Sequence, residues 1–287
     1  VFAILHDNEK VWIGANAGGL NMYDPVSEKL TNFKNAENNA ADVYSLMKGS
    51  DTNRNYIYCG TSYSGIWKFN KVTEKFEKFS NSDSDKFHIS SNQIRTMITD
   101  SSGKIWAGTI TNGVNVFDEK NQTVEYFTYT AENSGGIPDK HIKVILEEDE
   151  NTLWLGTQFS GICRFDKSGK NIKTFSVKDG LSNNIVQGML NDNTENIWIS
   201  TNNGLNKFNK TTGEFRKYYR EDGLQSNEFN DGAFFRSEDG TFYFGGVNGY
   251  NYFKPDEITD NEYIPEIVIT DIKLFNESLS INDSNLF

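Results

Sequence analysis

One phrase recurs six times along the chain: an aromatic, one residue, a glycine, a short polar loop, a second glycine, an aliphatic, two residues and an aromatic. Trp12-Ile13-Gly14 leads to Gly19-Leu20 and Tyr23, Tyr58-Cys59-Gly60 to Gly65-Ile66 and Phe69, and Trp106-Ala107-Gly108 to Gly113-Val114 and Phe117. Trp154-Leu155-Gly156, Trp198-Ile199-Ser200 and Tyr243-Phe244-Gly245 open the other three in the same way. The leading aromatics are 46, 48, 48, 44 and 45 residues apart. A sustained period in the forties built of short strands is the sequence form of a β-propeller.

Each repeat resolves into four strands. In the third, Ile94 to Thr99 alternates apolar and polar residues, Asp100-Ser101-Ser102-Gly103 is turn chemistry, and Ile105 to Thr109 and Val114 to Phe117 follow as strands. Thr123 to Thr128 closes the unit, with counterparts at Lys29 to Phe33, Lys75 to Phe79, Asn171 to Phe175 and Glu214 to Tyr218. Apolar spacing of 3.6 residues is missing, so the fold is expected to be all-β with almost no helix. The expected architecture is a propeller over 1–262, in four-stranded antiparallel blades near 1–40, 41–88, 89–138, 139–183, 184–228 and 229–262.

The repeated columns have structural explanations. Blades stack around an axis, so the Trp, Tyr and Phe columns fill the widening wedge between them. The first glycine sits where backbones crowd, and the second permits the turn between second and third strands. An asparagine column, Asn21, Asn115, Asn206 and Asn251, is read as repeated structural hydrogen bonds because a ligand site seldom repeats with the blades.

Forty acidic against 28 basic residues give a net charge of −12, which argues against nucleic-acid or anionic-membrane surfaces, since both need a basic patch. Cys59 falls in a second strand and Cys163 in a third, two blades apart, so both are expected to be buried small hydrophobes without a disulfide. Nothing suggests zinc, another metal site or a cofactor.

The ends differ from the repeats. Val1 to Asp7 matches a first strand, while Lys254-Pro255-Asp256 interrupts the last repeat after its third strand. Propellers commonly complete a last blade with a strand from the other end of the domain, so that strand is expected upstream of Val1, in a longer protein. From Pro265 to Phe275 a fresh strand alternation begins after a proline-containing linker, which makes 263–287 the truncated start of another domain.

Asp179-Gly180-Leu181-Ser182-Asn183-Asn184 and Asp222-Gly223-Leu224-Gln225-Ser226-Asn227 precede two successive first strands, and Gly245-Gly246-Val247-Asn248-Gly249 with Phe253-Lys254-Pro255 ends the last repeat. In these runs the chain resembles the two-component-regulator propeller repeat, and the segment from Pro265 resembles the start of the Ig-like sandwich, named for its three tyrosines, that follows such propellers. Ser200, Tyr58 and Tyr243 depart from the pattern at glycine and tryptophan positions. The resemblance implies that these six repeats are part of a seven-bladed ring, and that the chain is the periplasmic part of a Bacteroidetes-type hybrid two-component sensor anchored in the inner membrane. Its implied ligand is an oligosaccharide. Its implied partners are the rest of the sensor chain, namely an upstream propeller and the Ig-like domain, and a second copy in a homodimer of the full-length sensor.

Two other readings compete. A propeller enzyme acting on glycans or lactones would show either a sialidase-type Asp box, whose aspartate lies two before a glycine, or a histidine base. Asp100 lies three before Gly103, and Asp239 is adjacent to Gly240. The histidines, His6, His88 and His141, are read as isolated and exposed. A protein-interaction propeller would share every repeat, because blades specify a scaffold and not a ligand. The segment is therefore expected to be non-catalytic.

Loops joining second to third strands, and fourth strands to the next blade, are expected to gather on one face around the axis. Tyr63, Asn112, Phe159, Asn202 and Asn248 occupy the former and are the candidate ligand residues. An aromatic tip with nearby amides suits a sugar, whose apolar face stacks while its hydroxyls hydrogen-bond.

Overall fold

The structure, a computed structural model, describes residues 1–34, 42–50, 53–82, 88–129, 136–192, 194–259, 271, 273–274 and 277–278. Blade one comprises β1 (Ala3–Asp7), β2 (Lys10–Ala15), β3 (Gly19–Asp24) and β4 (Lys29–Phe33). Blade two follows with β5 (Val43–Lys48), β6 (Tyr56–Thr61), β7 (Ile66–Asn70) and β8 (Lys75–Phe79). Blade three has β9 (Ile94–Thr99), β10 (Ile105–Thr109), β11 (Val114–Asp118) and β12 (Thr123–Phe127). Blade four has β13 (Ile142–Glu147), β14 (Thr152–Thr157), β15 (Ile162–Asp166) and β16 (Ile172–Phe175). Blade five has β17 (Val186–Asn191), β18 (Asn196–Thr201), β19 (Gly204–Asn209) and β20 (Phe215–Tyr218). The last blade shows β21 (Phe229–Arg236), β22 (Phe242–Gly246) and β23 (Gly249–Phe253). Every sheet is an antiparallel meander in chain order, with four strands in the first five blades and three described strands in the sixth. Helix is confined to short 3₁₀ turns. The protein is an all-β propeller.

Residues 1–255 form one compact unit and 256–287 a second. In the second, Lys273–Leu274 pairs with Glu277–Ser278. The strand expected over 265–275 and the Ig-like start otherwise lie outside the described residues.

The wedge between blades repeats one aromatic triad. Trp154 packs 5.9 Å from Phe175 of its own blade and 5.3 Å from Phe208 of the next, with Phe175 and Phe208 4.8 Å apart. Trp12/Phe33/Phe69, Trp106/Phe127/Phe165 and Trp198/Tyr218/Phe253 reproduce it. Tyr58 holds the tryptophan position of the second blade because its hydroxyl donates to Glu119, which also takes Lys68. A Cβ on Gly156 would meet Val186 of the next blade at 2.7 Å, and one on Gly60 would meet Ile94 at 2.7 Å, so close approach explains the first glycine column. At Ser200 the small residue has moved across the ladder. Ser200 pairs with Gly188, where an added Cβ would strike Phe234.

The two outermost faces are uncovered. Tyr252 occupies, in register with Tyr243 and Phe235, the place that Val116 holds beside Trp106 and Ile98, yet it is 67% exposed against 3% for Val116. On the first blade, Ile4 pairs with Ile13 as Met97 pairs with Ala107, and it is likewise exposed.

Candidate functional site

The loop face is assembled by main-chain bonds that recur blade after blade. The turn glycine after each second strand donates its N–H to the crossover entering the next blade: Gly65 to Asn92 O at 2.9 Å, Gly113 to Lys140 O at 2.8 Å, Gly161 to Asn184 O at 3.1 Å and Gly204 to Asn227 O at 2.6 Å. The asparagine column serves the same crossovers. Asn115, Asn206 and Asn251 accept through Oδ1 from the backbone N–H of Ser90, Ser182 and Gln225. The structural reading of that column therefore holds.

At the axis the regular alternation expected for the first strands fails at their second residue. The register of β9 against β10 jumps so that Ile94 and Thr96 pair with Thr109 and Gly108, leaving Arg95 as a β-bulge. Tyr44 in β5, Lys143 in β13 and Gln187 in β17 are bulged in the same way. In β21 the interruption lengthens to the residues between Phe229 and Phe234, which include Asp231. A bulge re-aims its side chain, and these converge. Lys143 Nζ lies 2.6 Å from Gln187 Oε1 and 3.4 Å from Asp231 Oδ1, Arg95 also pairs with Asp231, and its guanidinium sits 4.8 Å over the Tyr44 ring. Tyr44, Arg95, Lys143 and Asp231 border the opening between the first and last blades, whose other walls include Phe2, Ile4 and Phe235.

Burial sets the charge states here. It pushes the Lys143 ammonium below the usual lysine range, with Asp231 opposing the shift and Arg95 adding to it. His141 is lowered by burial first and then by Lys143 and Arg95. It is therefore not the isolated exposed loop histidine expected from sequence: it is half-buried beside the axial charges, and its Nε2 has no hydrogen-bond partner among the described residues. His6 and His88 are exposed.

The five sequence-derived candidates all lie on the loop face, but they divide. Tyr63 and Phe159 are 72% and 67% exposed. Asn112 donates to Ser90 O, and the Asn248 N–H donates to Gln225 Oε1 at 2.8 Å, so both help hold their own loops. Asn202 alone joins the axial ring, accepting from Gln187 Nε2. Sequence reasoning missed Tyr44, Arg95, Lys143, Gln187 and Asp231. The available signal was a polar or aromatic residue of changing type at one fixed place, just after the leading Val43, Ile94, Ile142 and Val186; Asp231 lies one place further on from Phe229 and had no such signal.

Other conspicuous groups are structural. Asp100, the near-match to an Asp box, is buried and accepts from Ser102, Lys104 and the Trp106 indole. Burial pushes its carboxyl up, but these bonds and Lys167 outweigh it, leaving the group below the usual carboxylate range. Cys59 and Cys163 are buried and free, and burial pushes the Cys163 thiol up to about 12.

The two-component-regulator propeller model matches residues 88–111, from the crossover into blade three to the turn after β10. Histidine kinase P4 of Formosa agariphila is 29% identical over 276 residues, 96% of this chain and 20% of that protein. The extracellular domain of a hybrid two component system from B. thetaiotaomicron superposes with a TM-score of 0.76 at 22% identity, covering 98% of this chain and 38% of that one. A second such domain from the same organism gives 0.67 at 19% identity, with coverages of 96% and 37%. Fold and loop architecture define the class as a β-propeller with a loop-built face. Within it, the stretch 88–111 matches the two-component-regulator propeller repeat. It spans about a fifth of the curated relative's length.

Proposed function

We propose that this chain is the periplasmic ligand-sensing segment of a hybrid two-component sensor, which holds an oligosaccharide at the loop face and relays its presence toward a cytoplasmic histidine kinase. The observation that carries the reading is the exposure of Tyr63 and Phe159 on a face whose backbone is pinned by repeated hydrogen bonds. Rigid aromatic tips offer stacking surface to a sugar ring at small conformational cost. The names of the similar proteins, a histidine kinase and hybrid two component systems, supply the signalling context. The segment binds and transmits; turnover is not part of the reading. The Asp-box candidate is occupied in holding a turn, and the half-buried His141 is held toward its neutral form among cations.

Calorimetric titration of the intact protein with oligosaccharide pools tests this. Tyr63→Ala and Phe159→Ala are each expected to weaken binding by about 1–3 kcal/mol, by analogy with base stacking on aromatics. Unchanged affinity in both variants removes this face from recognition, and robust turnover of any oligosaccharide would reveal an enzyme instead.

A further inference from the structure

Among the bulged residues at the axis, the charges do not balance. Arg95 and Lys143 come from adjacent blades and share a single carboxylate, Asp231, delivered from the last blade. The two cations are the more buried partners and the anion the more exposed one. The Lys143 side chain is 4% exposed and is tied to Gln187, whereas that of Asp231 is 35% exposed on a lengthened bulge that includes Gly232 at φ 70°. Arg95 is oriented by the Tyr44 ring beneath it. That leaves its planar fork available for a second acceptor, the geometry with which arginine binds carboxylate and sulfate.

The surroundings favour an incoming anion. The cation pair faces the opening that the first strand of blade one and the last blade also line. In a low-dielectric channel, two positive charges sharing one negative charge attract a further anion more strongly than the same groups would on an open surface. His141 stands beside the pair with its Nε2 buried and unpartnered among the described residues. This positive focus is local, since the chain as a whole carries −12.

We propose that Arg95 and Lys143 are the seat for an acidic group of the ligand, a uronate carboxylate or a sulfate ester, and that Asp231 occupies this seat as an internal stand-in until the ligand displaces it. The proposal rests on the sugar reading for the identity of the ligand, while the seat itself rests on the axial geometry. Displacement frees the bulge of the last blade from the third and fourth blades, so occupancy of the seat is coupled to how the last blade is held.

The test uses the intact protein with inorganic sulfate, glucuronate, glucose 6-sulfate and glucose as probes. Asp231→Asn removes the competing charge and is expected to tighten binding of the anionic probes by about tenfold, the scale of a close charge pair at an interface, with glucose unaffected. Adding Arg95→Gln to Asp231→Asn is expected to abolish the gain. A wild-type measurement guards against misfolded variants: the melting temperature is expected to rise in sulfate relative to chloride at matched ionic strength, and to rise by less in Arg95→Gln, where only the general stabilising effect of sulfate on folded proteins remains. Equal anion affinity in wild type and Asp231→Asn, or a sulfate response as large in Arg95→Gln as in wild type, overturns the seat. Neutral oligosaccharides that bind every variant while no anionic probe distinguishes the variants would overturn the seat and leave the sugar reading standing. Sulfate binding at Arg95 with no response to either acidic sugar would overturn the sugar assignment and leave the anion seat.

Discussion

The wedge between blades and the ring at the axis are built from the same strands, yet they obey opposite rules. Across the wedge, the Trp154/Phe175/Phe208 triad and its counterparts are nearly interchangeable from one interface to the next. At the axis, Tyr44, Arg95, Lys143, Gln187 and Asp231 come from five consecutive blades and no two are alike. Residues that repeat with the blade serve the blade. Residues that gather at the axis and all differ do not serve the blade repeat, and it is these that the proposal above assigns to a ligand.

If that division is right, substitutions should separate stability from recognition. The largest loss is expected from Trp154→Ala, which empties a fully buried triad and should cost about 3–5 kcal/mol in denaturant unfolding; a loss below 1 kcal/mol would mean that the wedge is not the core. Asp100→Asn comes next, at roughly 1–3 kcal/mol, because a buried acceptor for Ser102, Lys104 and Trp106 is weakened. Its pH signature has a definite sign. With the folded carboxyl below its ordinary value, the contribution is present above that value and fades as pH falls through the lower folded one. Acid titrations of wild type and Asp100→Asn should therefore converge at low pH.

His141 provides a smaller check of the same sign, at the axis and at higher pH. Its folded form is lowered from 6.5, so below that pH the unfolded chain binds more protons and stability should decline as the medium acidifies. His141→Gln should flatten that decline in thermal melts between neutral pH and about pH 5; an unchanged slope would assign it to other groups. The smallest effect on folding belongs to the loop tips. Tyr63→Ala and Phe159→Ala should each change stability by no more than about 0.5 kcal/mol, since both rings are already largely in water. A larger loss would place them with the wedge.

Much of the scaffold could be read before the structure because its determinants are local and repeated. The spacing of Trp106, Gly108, Gly113 and Phe117 encodes two strands and their turn, and five similar copies leave little ambiguity about blades. The loop face followed from the topology, and Tyr63 and Phe159 stand exposed on it. The axial ring was not legible, for a physical reason. Alternation assigns side chains to faces by counting in twos, and a single bulge at Arg95 or Lys143 shifts that count without leaving any mark in composition. Asp231 was harder still, since its bond to Arg95 joins residues far apart in sequence through a longer interruption that only the fold brings across the axis.

The glycine-to-crossover bonds on the loop face use only main-chain atoms. The Tyr63 and Phe159 side chains are thus released from any duty of holding the face together, whereas Asn112 still helps hold its own loop, and each tip is anchored by its own blade and the next. A change at one tip leaves the backbone of distant tips where it was, so contributions from well-separated blades should combine additively. Such a surface can have its preference rewritten one blade at a time, by drift or by design, without passing through an unfolded intermediate sequence.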